Sequence, residues 1–183
     1  MGRRKLILIT GMAGSGKTTF SQIIRDSGIR LITMGDVIRE LARQQGLEPS
    51  TDNLGILAKK IREESPDAVA LRCIDLIIKL PENGLIVVDG IRSLAEIEAF
   101  EKNFEAVIVA IHASPLSRFK RLTRRGRSDD PQSWEEFKER DKRELGFGIG
   151  NAIASADIMI VNDNGIDGLK KSFELLMEKI KND

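Results

Sequence analysis

The sequence predicts an α/β domain built on one parallel, five-stranded sheet with helices on both faces. Three observations lead there. Apolar runs of four to six residues alternate along the chain with longer amphipathic stretches. The first run, residues 5–10 (KLILIT), is apolar almost throughout, as a strand buried on both faces requires. Strands separated singly by helices need crossover connections, which make the sheet parallel.

The elements follow in order. Residues 18–27 read as a helix closed near Gly28, and residues 30–33 as a second short strand. Residues 36–45 form a helix stopped by Gly46, with Pro49 beyond it. Residues 52–64 are helical, with Ser50 or Thr51 as N-cap. Ser65-Pro66-Asp67 supplies a cap, a proline at the first helical position and an acid in the first turn. That helix should run to about residue 80, where Pro81 and Gly84 end it. Residues 85–89 (LIVVD) are the third strand, 94–102 a helix and 106–111 (AVIVAI) the fourth strand. Ser114-Pro115 caps a helix reaching toward Arg125; residues 134–145 are helical, 157–161 the fifth strand and 167–181 the last helix. The whole of 1–183 is expected to be a single domain. Two stretches break the alternation, a helical insertion of about 35–80 and an Arg-rich lid of about 118–145. Either could be a flap, because ligands of such sheets bind beyond the carboxyl ends of the strands.

Composition narrows the function classes. Lys plus Arg number 29 against 28 Asp plus Glu, a net charge of +1 that gives no overall pull toward nucleic acid or anionic membrane. Cys73 is the one cysteine and His112 the one histidine, so neither a disulfide nor a zinc site is readable, and Cys73 is expected to be a buried helix hydrophobe. Arg3-Arg4-Lys5 before Leu6-Ile7-Leu8-Ile9 imitates a signal peptide, but the apolar run is too short and Gly11 ends it. The expected setting is cytoplasmic, without a membrane partner.

Gly11-Met12-Ala13-Gly14-Ser15-Gly16-Lys17-Thr18 matches G-x-x-x-x-G-K-[ST] in full, between a predicted strand and a predicted helix. This is a phosphate-binding loop. Gly14 and Gly16 let backbone N–H groups close around phosphate oxygens, and the following helix points its positive end at them. Lys17 should reach the β- and γ-phosphates of ATP and the Thr18 hydroxyl should ligate Mg²⁺. Residues Gly11 to Thr18, with Thr19 next to them, are assigned to ATP. Asp89, at the end of the apolar run 85–88, is the expected second metal ligand, direct or through water.

A kinase for small acceptors needs further cations. Arg39, one turn into the helix after strand two, and Arg92, just past strand three, can converge on an anion between those strand ends. Gly35, Asp36 and Gly90 flank them. Arg118, Lys120, Arg121, Arg124, Arg125 and Arg127 place six cations in ten positions. Asp129-Asp130 follow directly and Phe119 is the one aromatic interleaved, which argues against a stacking nucleic-acid platform. A flap closing on a triphosphate explains the cluster better.

These residues resemble the nucleoside monophosphate kinases. Met34-Gly35-Asp36-x-x-Arg39 is similar to the T-G-D-x-x-R segment of adenylate kinases, whose arginine holds the acceptor phosphate. Asp89-Gly90-Ile91-Arg92 is similar to their D-G-F-P-R segment, one residue shorter. Arg121-Leu122 with Gly126-Arg127-Ser128-Asp129-Asp130 resembles their short lid. That likeness puts Arg127 in the transition-state role and Arg140 as the next lid arginine, a place that Lys138 or Arg143 could also take. The tail Ala156-Asp157-Ile158-Met159-Ile160-Val161-Asn162 with Gly165 resembles that of the dephospho-CoA kinases. As a whole the chain most resembles the archaeal adenylate-kinase-related proteins. The resemblance implies an ATP- and Mg²⁺-dependent phosphotransferase with a small phosphate-bearing acceptor such as AMP. Lys17, Arg127, Arg140 and one or more of Arg121, Arg124 and Arg125 would stabilise the moving phosphoryl.

Other residues carry less. Asp36 is read as an N-cap, as a group that accepts from the acceptor or orients Arg39, or as a base toward a hydroxyl acceptor; His112 is read as a strand-end packing residue, and Trp134 as a core cap near the lid hinge. Residues 145–150 (LGFGIG) read as a mobile or tight connection. Two alternatives stand: a hydroxyl-phosphorylating small-molecule kinase, and an ATP-binding regulatory protein. Asn162-Asp163-Asn164-Gly165 lacks the lysine of a guanine reader.

Overall fold

The computed structural model describes residues 3–48, 50–81, 84–127 and 130–182. The readings made for Pro49, Ser128 and Asp129 lie outside them. Five parallel strands form one sheet in the order β2-β3-β1-β4-β5: β1 (Lys5–Thr10), β2 (Arg30–Thr33), β3 (Ile86–Ile91), β4 (Glu105–His112) and β5 (Ile158–Val161). The apolar run 5–10 is central because it has no polar face to offer solvent. Leu6 and Leu8 point into one core, Ile7 and Ile9 into the other, and all four are buried.

Helices α1 (Lys17–Asp26) and α9 (Gly165–Asn182) cover the Ile7/Ile9 face through Phe20, Ile24, Leu169 and Leu176. The opposite face takes α2 (Met34–Gln44), α3 (Thr51–Glu64), α4 (Ala68–Ile78), α5 (Leu94–Asn103) and α8 (Ile149–Ala154). Helices α6 (Pro115–Arg125) and α7 (Trp134–Gly146) close the carboxyl end of the sheet near the loop after β1. The architecture is the expected three-layer α/β/α sandwich. Among the described residues no helix is long and apolar enough to cross a membrane.

Several boundaries move for physical reasons. The helical insertion is no detached flap, because Met34, Ala42, Val69, Cys73 and Ile77 sit in the sheet's own core. Helix α2 begins at Met34 directly after β2, with Thr33 in the N-cap position, so Asp36 lies inside the first turn and is not the cap. Ser50 caps α3, its hydroxyl accepting from the Asn53 N–H at 3.3 Å. The Ser65-Pro66-Asp67 signal makes a turn, and α4 starts two residues later than the cap reading implied. Residues 145–150 do not simply connect. Gly148 turns at φ 92° and the short helix α8 follows, held by the buried Ile149 and Ala152.

Strand β3 runs two residues past the predicted strand. Its register to β1 shifts so that Ile9 faces Asp89 but Thr10 faces Ile91. Gly90, at φ 108°, absorbs the extra residue. The Thr10 hydroxyl then donates to the Ile91 carbonyl at 2.9 Å, pinning the strand end that leads to Arg92.

Candidate active site

The loop after β1 lies against neighbours on every side. A Cβ on Gly11 (φ 144°) would come 2.3 Å from the Ile111 carbonyl oxygen, and one on Gly14 (φ 78°) 2.8 Å from the Arg118 carbonyl oxygen. On Gly16 (φ 112°) it would come 2.2 Å from Asn162 Nδ2. These glycines therefore serve packing as well as phosphate approach. Asn162, buried at the end of β5, donates from Nδ2 to the Ser15 carbonyl at 2.8 Å. Arg121 donates to the Ser15 carbonyl at 3.3 Å and to that of Asn162 at 2.7 Å.

Lys17 folds onto the loop, its ammonium donating to the carbonyls of Gly11 and Met12, the latter at 3.0 Å. Burial pulls its pKa from 10.5 down to about 8, against the raising pull of the Asp89 and Glu144 carboxylates. Asp89 is not at a strand tip as the sequence suggested, but inside β3, opposite Ile9 and Thr33. Ser21 donates to its Oδ2 at 2.7 Å, while Oδ1 is buried without a hydrogen-bond partner. That oxygen and the exposed Thr18 hydroxyl are hard ligands beside a triphosphate cradle. The set suits Mg²⁺, which takes one or two carboxylates and completes its shell with phosphate and water. Among the described residues no group of three His, Cys, Asp or Glu could hold a metal by itself.

One cavity of about 420 Å³ opens on the loop. It is lined by Lys17, Thr18 and Thr19 after the loop, by Gly90, Ile91 and Arg92 at the end of β3, and by Arg121, Arg125, Arg127, Arg140 and Glu144 from α6 to α7. The cations divide into distinct tasks. Arg118, expected in the flap, is 4% exposed and serves the scaffold. It donates to both carboxylate oxygens of Asp141, to the Ala13 carbonyl at 3.2 Å and to the Ala113 carbonyl at 3.3 Å, with its guanidinium 4.9 Å from the Phe137 ring centre. Arg121 also braces the loop through its carbonyls. Arg124 is exposed and does not line the cavity, which corrects its placement on the moving phosphoryl. Arg125 donates from Nε to the buried Asp130 at 2.8 Å, and Arg140 lies 3.4 Å from the same carboxylate. The Arg125 hydrogen bond, the Arg127 backbone N–H and Arg140 together hold the Asp130 carboxyl below its ordinary pKa. Arg127 stands exposed on the cavity wall.

The expected acceptor pair is not brought together. Arg92 lines the cavity. Arg39 instead pairs with Asp36 on a solvent-facing stretch of α2, its Nε 3.1 Å from Asp36 Oδ1, and Gly35, Asp36 and Arg39 are not in the cavity wall. Arg39 does sit one turn into the helix after β2, but α2 starts at Met34 and turns both charges onto its own surface.

Two groups escaped the sequence reading. Glu144 Oε2 accepts from the Ala13 N–H of the phosphate loop at 3.3 Å, a contact across 131 residues that no local pattern announces. Glu96 is fully buried; its carboxylate accepts from the Arg92 N–H at 2.7 Å and from Arg62 at 2.9 Å. The Ser93-x-x-Glu96 spacing of a capping box was legible, and the Ser93 hydroxyl does accept from the Glu96 N–H. Trp134 stacks on Phe137 at 5.0 Å and meets Phe119 edge-on, forming an aromatic cluster between α6 and α7.

Fold and cradle define a P-loop protein of the kinase-like class. A shikimate kinase from Aquifex aeolicus superposes with a TM-score of 0.60 at 20% identity, over 96% of this chain and 98% of that one. Residues 7–144 match the profile of an AAA domain family. A UPF0200 protein of Hyperthermus butylicus is 46% identical over 97% of this chain and 95% of its own length. Another, from Pyrococcus furiosus, is 48% identical over 96% and 97%. The chain belongs to that AAA domain family and to the UPF0200 proteins.

Proposed function

We propose that this protein is an ATP-dependent phosphotransferase whose acceptor is a small molecule bearing its own phosphate, with AMP the first candidate. The observation that carries the reading is one cavity lined both by the phosphate loop and by Arg92, Arg125, Arg127 and Arg140. A nucleotide switch needs only the loop. Transfer needs the arginines, because cations must neutralise the migrating group and hold the acceptor's charge while water is kept out.

In this reading the loop amides and Lys17 hold the donor phosphates. Thr18 and Asp89 Oδ1 would hold Mg²⁺, which supplies charge neutralisation on the phosphates when bound. Arg92 receives the acceptor's anion, and Arg127 approaches the transferring phosphoryl from the rim. Arg39 and Asp36 reach the acceptor only if their mutual pairing opens.

The test is a coupled ADP-release assay with AMP, CMP, UMP, GMP, dTMP and dephospho-CoA as acceptors. One acceptor raising ADP release well above the acceptor-free rate supports the proposal. MgATP binding with no response to any acceptor shifts the reading to a regulatory ATP-binding protein.

A further inference from the structure

Among the described residues that line the cavity, four arginines after β4 (Arg121, Arg125, Arg127 and Arg140) stand with one acid, Glu144. Its position is unusual for an anion site. The carboxylate receives the N–H of Ala13, a donor belonging to the phosphate cradle, at 3.3 Å. It lines the same cavity as Lys17, the residue assigned to the terminal phosphates. Its side chain is 14% exposed and its other neighbour is Arg140 Nε at 3.6 Å. Arg140 is held by Asp130 as well, so Glu144 is not needed to bring that arginine to the wall.

A carboxylate here is a liability for a purely phosphate-accepting site. It repels both the donor's γ-phosphate and an incoming phosphate nucleophile, and a phosphate nucleophile needs no base. A hydroxyl acceptor reverses both points, because it brings a proton that must leave and no charge of its own at the attacking atom. Asp36, the base suggested by sequence for that case, is tied to Arg39 outside the cavity. Among the described residues that line the cavity, Glu144 is the one carboxylate, and so the one anionic group able to accept a proton from an alcohol.

We infer that Glu144 is the general base of the transfer and that the acceptor attacks through a hydroxyl. The inference rests on the phosphotransferase reading and narrows its acceptor class to a phosphate-bearing alcohol. When ATP fills the cradle, the Ala13 N–H turns to phosphate and the carboxylate is released toward the acceptor. The hydroxyl proton passes to Glu144 as the acceptor oxygen bonds to the γ-phosphorus. The bond from that phosphorus to the β,γ-bridging oxygen breaks, ADP leaves with the bond's electron pair, and Glu144 returns its proton to solvent as the product departs.

The experiment compares the full chain with Glu144→Gln and Glu144→Asp. MgATP affinity is read by calorimetry and ADP release is measured with water, dephospho-CoA and AMP as acceptors. Water is included because it is itself a hydroxyl acceptor and gives a rate whatever the natural substrate. Glu144→Gln should keep MgATP affinity within about threefold and lower kcat for water and dephospho-CoA by about 100-fold or more, with KM nearly unchanged and Glu144→Asp intermediate. Wild-type turnover by the Gln variant overturns the inference, as does joint loss of MgATP affinity and melting temperature, which would make Glu144 a brace for Ala13. Efficient use of AMP, undiminished by Glu144→Gln, overturns it while leaving the phosphotransferase standing. If the wild type releases no ADP with any acceptor, both readings fall.

Discussion

Nucleotide binding should draw a proton onto Lys17, and the amount is set by the geometry of the loop. The part-buried ammonium donates to two loop carbonyls, and its pKa is about 8. Triphosphate oxygens at the same place return it to the ordinary lysine range or above. The fraction of Lys17 that is neutral before binding is then about 0.1 at pH 7, about 0.5 at pH 8 and about 0.9 at pH 9. Calorimetric titration of MgATP in pairs of buffers with different ionisation enthalpies reads this directly as protons taken up per site. Uptake should climb along that curve, and affinity should fall about tenfold for each pH unit above 8. Lys17→Met should bind weakly and take up nothing at pH 9. The same linkage acts on folding. The folded state holds its Lys17 proton less tightly than the unfolded chain, so this group's contribution to apo stability rises with pH between about 8 and 10.5. A flat uptake curve between pH 7 and 9, or equal uptake by Lys17→Met, would refute burial as the cause.

Further outcomes follow from other contacts. Arg62→Ala leaves the fully buried Glu96 without its cation and should cost about 3–5 kcal/mol. Thermal melting should fall by roughly 6–20 °C. Gly16→Ala would place a Cβ 2.2 Å from Asn162 Nδ2 at φ 112°. It should cost about 2–4 kcal/mol and abolish measurable MgATP binding, and an unchanged affinity would contradict the packed cradle. Arg127→Ala should leave the melting temperature unchanged and lower kcat by about 100-fold, while Arg124→Ala should change neither. Steady-state kinetics and calorimetric melting on both variants separate the wall residue from the solvent-facing one.

Much of the fold was written locally. A run such as residues 5–10 has no polar face and can only be a central strand, and the loop Gly11–Thr18 states its purpose in contiguous residues. Ser50 and Ser114 announce helix starts through the short reach of a hydroxyl to an N–H three residues on. The site was less legible wherever a side chain's partner lies far along the chain. Arg118 and Arg127 look alike in sequence, yet Asp141 and the Ala13 carbonyl turn Arg118 into scaffold, leaving Arg127 at the rim. Glu144 reads as one acid on a highly charged helix until Ala13 is seen beside it. Helix α8 carries two glycines at or beside its start and too few residues to be stable alone; burial of Ile149 and Ala152 holds it.

The hydrogen bond from Asn162 to the Ser15 carbonyl joins the cradle to a residue 147 positions later. A nascent chain therefore carries its glycine-rich motif out of the ribosome long before this brace can form. A polypeptide cut short before residue 162 lacks the hydrogen bond that ties the loop to the far edge of the sheet.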